Sequence, residues 1–268
     1  MQNKMENEDK VKSFLINFFS CIIQYEKKLI VQRSILQQLF CFDNPFGYFL
    51  YLDKNKKNYL NYDDFNLFLS NKLIKYKSIE LKEIIKLYDY DNDHCWNFDE
   101  FQNFIENKKF LNTFYTINRI KQREFYNALE EYENELVKLF KIEIEYIEYL
   151  GLKIKALKDL TNSNEINTKI IFNNISNNRD KIDSNNLFQY LSENNKGKIT
   201  SEDIKLIIYR ISKGKNNISM RELNNIFKYD KFLYDNEISY IRTEGYHKTD
   251  PIDNTKLLYY NTYITMKK

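Results

Sequence analysis

Residues 89–100 read DYDNDHCWNFDE and place oxygen donors at the intervals a hard divalent cation needs. Asp89, Asp91 and Asp93 alternate at the first, third and fifth positions. Cys95 offers a backbone carbonyl at the seventh. Asn97 offers an amide oxygen at the ninth, where contact often runs through water, and Glu100 offers two oxygens at the twelfth. Calcium takes about six to eight such oxygens, so calcium binding is expected here. The alternative is an acidic surface turn that holds no ion. Trp96 at the eighth position is apolar, as a short strand pairing two loops requires. His94 occupies the sixth position, where the backbone turns sharply and glycine is usual. Left-handed geometry costs a side chain on the order of 1 kcal/mol, so a working but weakened site is expected, with His94 a turn residue and not a ligand.

The same frame occurs 36 residues earlier, where Leu60 corresponds to Trp96 within DKNKKNYLNYDD, residues 53–64. Asp53, Asn55, Tyr59 through its carbonyl, Asn61 and Asp64 form a weaker candidate site. Lys57 puts a cation at the fifth position, and Asp64 is one methylene shorter than Glu. This loop is expected to serve mainly as the structural partner of the other. Apolar residues at i, i+3, i+4 spacing flank both loops: Phe49 and Leu52, then Phe65, Phe68 and Leu69; Ile84, Ile85 and Tyr88, then Phe101, Phe104 and Ile105. Each set makes one buried helix face. Pro45 after Asn44 marks a helix start, and Ser78 is the expected N-cap of the helix entering the second loop.

The plan recurs in the second half. Leu15, Phe19 and Ile23 return 121 residues later as Leu136, Phe140 and Ile144, while Tyr25, Leu29, Leu36 and Leu39 return as Tyr146, Leu150, Leu157 and Leu160. Ile22 breaks the match by falling opposite Glu143. At an offset of 122, Leu60 and Trp96 return as Ile182 and Ile218, and Ser78 as Thr200, the expected cap of its helix. Similarity at a nearly fixed offset indicates an internal repeat. The corresponding loops, near residues 176–186 and 211–222, have lost most acidic ligands, and calcium is not expected there. Residues 117–160 read as a long helix. It is either a solvated connector or a helix whose apolar stripe lies in the groove of a loop pair, and the N-terminal helix, about 9–40, is expected to do the same for the first pair.

Only 5 Gly and 2 Pro among 268 residues favour long helices, and 43% apolar content supports a real core. A net charge of +3 with interspersed signs lacks the basic face nucleic acid requires. FLINFFSCII, residues 14–23, is too short to span a bilayer and reads as a buried helix. The polar start, MQNKMENEDK, is a poor signal peptide. Cys21, Cys41 and Cys95 have no paired spacing and fit a reducing compartment. His94 and His247 are the only histidines, and no nucleophile–base pair or phosphate-cradling loop is visible, so no enzymatic activity is expected.

With these motifs the chain resembles the calmodulin-like EF-hand superfamily, strongly over about residues 43–107 and weakly over 170–228. The resemblance implies an all-α fold of two EF-hand pairs, each preceded by a long helix. The expected organisation is an N-terminal helical segment (9–42), a first pair (43–110), a long connecting helix (111–168), a degenerate second pair (169–228) and an extended Tyr-rich arm (229–268). It implies calcium held by Asp89, Asp91, Asp93, Cys95, Asn97 and Glu100. His94 and three of the four loops depart from the pattern, so four-ion switching is not implied. The added long helices look like those of EF-hand scaffold proteins of protist cilia and cytoskeleton. That likeness implies a cytoplasmic scaffold or adaptor of a cilium, flagellar axoneme or microtubule cytoskeleton. Its helices and arm would dock helical or filament-lattice proteins, with no nucleic acid and no membrane span. A calcium-independent structural subunit and a calcium-dependent regulatory subunit of an enzyme are the competing readings.

Overall fold

A computed structural model describes residues 2–39, 45–106, 125–161, 167–192 and 199–233. They are all-α, and no strand occurs among them. The helices are α1 (Gln2–Leu39), α2 (Pro45–Leu52), α3 (Tyr62–Asn71), α4 (Ser78–Tyr88), α5 (Phe98–Glu106), α6 (Phe125–Thr161), α7 (Thr168–Ser176), α8 (Ser184–Ser192), α9 (Ser201–Ser212) and α10 (Met220–Ile226), followed by a 3-10 turn, Tyr229–Leu233. Two isolated antiparallel bridges join loops: Leu60 with Trp96, and Ile182 with Ile218. These are the apolar eighth positions that the sequence sets 36 residues apart.

Contacts divide the chain into two units. Among the described residues, those between Ser34 and Val137 belong to one, and those up to Arg33 with those from Lys138 to Leu233 belong to the other. In the first, Trp96 is fully buried. Its ring meets Phe65 at 4.7 Å, Phe104 at 4.9 Å and Tyr88 at 5.6 Å. Its indole N–H donates to the Ile85 carbonyl at 2.7 Å, so the one polar atom of the ring is satisfied. Local capping fixes the helix starts. Asn61 accepts from the Asp63 and Asp64 N–H groups, and Asp64 accepts from the Asn61 N–H. Helix α4 begins at Ser78 itself, one residue before the start expected with Ser78 as its cap. The cap position is Lys77, and Glu80 takes its N–H at 2.7 Å. The N-terminal end of α6 closes this unit: Tyr132 stacks on Tyr48 at 3.6 Å, and Glu133 accepts from Tyr51 and from the Lys72 ammonium.

The other unit takes α7–α10 with most of α1 and α6. Leu15, Phe18, Phe19 and Ile22 of α1 and Leu139, Phe140, Ile147, Leu150, Ile154 and Leu157 of α6 are buried. Helix α6 is therefore a core element and not a solvated connector, although Leu160, the last residue of the repeated stripe, is 37% exposed. The placement of α1 corrects the sequence expectation. Its contacts through residue 33 lie with the second half: Phe18 meets Phe227 at 5.7 Å, and Lys27 pairs with Asp203 at 2.6 Å. The physical reason is a buried ionic cluster. Glu143 of α6 accepts from Arg210 of α9 at 2.7 and 3.1 Å and from Arg33 of α1 at 3.4 Å. The Nε of Arg210 stands 3.5 Å from Glu26 of α1. All four side chains are buried, and buried charges must be paired. Glu26 and Arg33 therefore hold α1 where Glu143 and Arg210 are. Burial pushes the Glu26 carboxyl up to about 7; Arg210 opposes the rise, Glu143 adds to it, and Arg33 opposes it.

Thr200 caps α9 as expected, accepting from the Asp203 N–H. Residues 229–233 are not the start of an arm. They form the 3-10 turn, and Asp230 pairs with Lys158 at 2.6 Å. The rest of the Tyr-rich segment, with Tyr234, Tyr240, Tyr246, Tyr259, Tyr260 and Tyr263, lies outside the described residues, as do Asn44, Cys41 and residues 117–124.

Candidate metal centre

Helix α4 ends at Tyr88 with Asp89 as its C-cap, and α5 begins after Asn97. The turn between them is built by its own carboxylates. Asp89 is buried and accepts three backbone N–H groups: Asn92 at 2.7 Å and Asp93 at 3.2 Å on Oδ1, and His94 at 2.9 Å on Oδ2. Asp91 Oδ1 accepts from the Asp93 N–H at 3.2 Å, and Asp93 Oδ1 from the Cys95 N–H at 2.8 Å. The backbone reverses through Asn92 (φ 62°) and His94 (φ 67°). His94 thus adopts the left-handed geometry that the sequence required of it. The result is convergence: one carboxylate oxygen from each of Asp89, Asp91 and Asp93 lies within 4.8 Å of the others.

Glu100 does not join that trio. It is 3% exposed. Its Oε1 accepts from the Tyr90 N–H at 2.7 Å and its Oε2 from the Asn97 N–H at 2.9 Å, while Asn97 Oδ1 accepts from the Glu100 N–H at 3.0 Å. The last pair is a capping box. Burial raises the Glu100 carboxyl above its ordinary range; the Tyr90 and Asn97 N–H groups oppose this, and the charges of Asp91 and Asp89 add to it. Burial also raises the half-buried Cys95 thiol, with Asp93 adding and Lys57 opposing. The loop therefore supplies hard oxygens from Asp89, Asp91, Asp93, Asn97 and Glu100 in one short segment, a donor chemistry suited to calcium.

Residues 53–64 follow the same hydrogen-bond plan. Positive φ falls at Lys56 (55°) and Asn58 (65°), the fourth and sixth positions, as at Asn92 and His94. Asp53 is fully buried and accepts the Asn58 N–H at 2.7 Å, as Asp89 accepts that of His94. Asp64 accepts the Asn61 N–H at 2.9 Å, as Glu100 accepts that of Asn97. Asn55 and Tyr59 are exposed. The Lys57 ammonium lies 2.6 Å from Asp64 Oδ2. In the second half, Arg179 and Asp183 form an exposed pair at 3.6 Å, and the Lys215 ammonium reaches Glu222 at 2.8 Å.

Sequence reasoning missed the Glu26, Arg33, Glu143 and Arg210 cluster. Its only signal was Glu143 standing opposite Ile22 in the repeat. Neither a family model, nor a curated protein, nor a solved structure matches this chain. Among the described residues no helix is long and apolar enough to cross a membrane.

Proposed function

We propose that this chain is a calcium-binding protein of the EF-hand type, with one ion held at residues 89–100, and that it works as a non-catalytic scaffold or adaptor for other proteins. The observation that carries the ion is the convergence of the Asp89, Asp91 and Asp93 oxygens within 4.8 Å. Three carboxylates so close repel one another, and a divalent cation supplies the charge that offsets them. Asp89, Asp91, Asp93, Asn97 and Glu100 would hold it with the Cys95 carbonyl. Further support comes from the Leu60–Trp96 bridge, which ties this loop to a second loop of the same hydrogen-bond plan. The adaptor half of the reading rests on the family resemblance and on the two long helices.

Isothermal titration with calcium tests the ion. One equivalent is expected for the wild-type chain and none for Glu100→Gln. Absence of heat at millimolar calcium, with both proteins folded by circular dichroism, rejects the reading in favour of a calcium-independent structural subunit.

A further inference from the structure

We propose that the ammonium of Lys57 is the built-in cation of the loop at residues 53–64, and that Lys215 plays the same part at residues 211–222. The inference rests on reading residues 89–100 as a cation loop and concerns what replaces the ion elsewhere. In the first loop two carboxylate-to-backbone bonds of the acidic loop are kept, with positive φ at the same fourth and sixth positions. The first carboxylate is buried and takes the N–H of the sixth residue: Asp53 from Asn58 at 2.7 Å, Asp89 from His94 at 2.9 Å. The twelfth carboxylate takes the N–H of the ninth: Asp64 from Asn61 and Glu100 from Asn97, both at 2.9 Å. Among the ligand positions the third changes from Asp91 to Asn55 and the twelfth from Glu100 to Asp64, but only the fifth reverses charge, Asp93 in one loop and Lys57 in the other. Lys57 Nζ spans seven residues to reach Asp64 Oδ2 at 2.6 Å, with the lysine side chain 20% and the aspartate 6% exposed. Asp53 Oδ1 is left buried with no hydrogen-bond partner, an anionic environment that a positive charge relieves.

The second instance is independent. Lys215 stands in the fifth position of its loop and Glu222 in the twelfth. Lys215 Nζ again spans seven residues, to Oε1 at 2.8 Å, while Oε2 takes the Ser219 N–H. Burial acts to raise the Glu222 carboxyl, but Lys215 and Ser219 outweigh it and hold it below its ordinary range. The backbone route differs, with positive φ at Lys213 and Gly214. Two differently shaped loops therefore pair the same positions, a lysine five residues in with the acid that closes the loop, the lysine 20% exposed at Lys57 and 69% exposed at Lys215. An ammonium held in the chain needs no ion concentration, so the loop at residues 53–64 is set at all calcium levels, while the exposed Lys215 pair is the weaker form of the same device.

The test exchanges the fifth residues and reads terbium luminescence sensitised by Trp96, together with thermal unfolding in EDTA. Wild type is expected to take up one terbium, Lys57→Asp two and Asp93→Lys none. In EDTA, Lys57→Met is expected to melt about 3 °C below wild type, and Lys57→Arg at the wild-type temperature. Lys57→Asp should melt low in EDTA and recover with terbium. Lys57→Met matching wild type in EDTA, or Lys57→Asp gaining no terbium over wild type, overturns the proposal. A wild-type chain that takes up no terbium rejects the reading of residues 89–100 alone, because the EDTA melts and the gain in Lys57→Asp do not depend on that loop.

Discussion

Leu60 and Trp96 exchange both backbone hydrogen bonds, Leu60 N–H to Trp96 carbonyl at 2.8 Å and the reverse at 2.7 Å. Both side chains are fully buried, so the same two residues align the loops and fill the core beneath them.

Trp96→Ala removes the largest buried side chain of its unit and the indole hydrogen bond to the Ile85 carbonyl, which keeps its bond from the Asp89 N–H. The expected loss is about 3–5 kcal/mol, read by urea denaturation followed with circular dichroism. Trp96 is the only tryptophan, so the wild-type unfolding should also appear as a red shift of emission. A loss under about 1 kcal/mol would contradict the packing described.

Asp89 and Asp91 should separate folding from ion binding. Asp89→Ala strands the N–H groups of Asn92 and His94 and is expected to destabilise the chain in EDTA by about 1–3 kcal/mol. Asp91→Ala, at an exposed residue that accepts the Asp93 N–H, is expected to stay within about 0.5 kcal/mol of wild type. Both should abolish the stabilisation that calcium gives, as read by urea melts with and without the ion.

His94 sits at φ 67°. The left-handed geometry costs a side chain roughly 1–2 kcal/mol, against about 0.5–1 kcal/mol of extra backbone freedom that glycine loses on folding. His94→Gly is therefore expected to stabilise the apo chain by about 0.5–1 kcal/mol and to tighten calcium binding. Equal or lower stability would show that the histidine side chain makes compensating contacts.

Glu26 gives a pH dependence whose sign is fixed. Its carboxyl is raised from 4.5 to about 7 in the folded chain, so folding favours the protonated form. That stability is fully present below about pH 4.5 and is lost as pH rises through 7. The contribution is on the order of 3 kcal/mol over this window. Glu26→Gln should flatten this part of the profile, measured as unfolding free energy from pH 5 to 8. An unchanged slope would mean that Glu26 ionises normally within its cluster.

The loop was legible because ligand spacing and the sharp turn are local properties. Asp89, Asp91 and Asp93 converge as their alternation implies, His94 adopts the left-handed turn, and Ile182 meets Ile218 at the predicted interval. Three things were not legible. Glu100 meets backbone donors apart from the aspartate trio, which depends on how its side chain is buried. The partner of α1 is set by pairing of Glu26 and Arg33 with residues more than a hundred positions away, and apolar periodicity carries no such information. Lys57 and Lys215 looked like lost ligands; only their distances to Asp64 and Glu222 reveal substitutes.

The capping boxes at Asn61–Asp64, Asn97–Glu100 and Ser219–Glu222 give the closing acid of each loop a second task, starting the next helix. Selection for folding alone would then preserve that acid after metal affinity has ceased to matter. Such a chain can drift away from ion dependence by single substitutions, every intermediate remaining folded, and an acid retained at the end of a loop is weak testimony that the loop still binds.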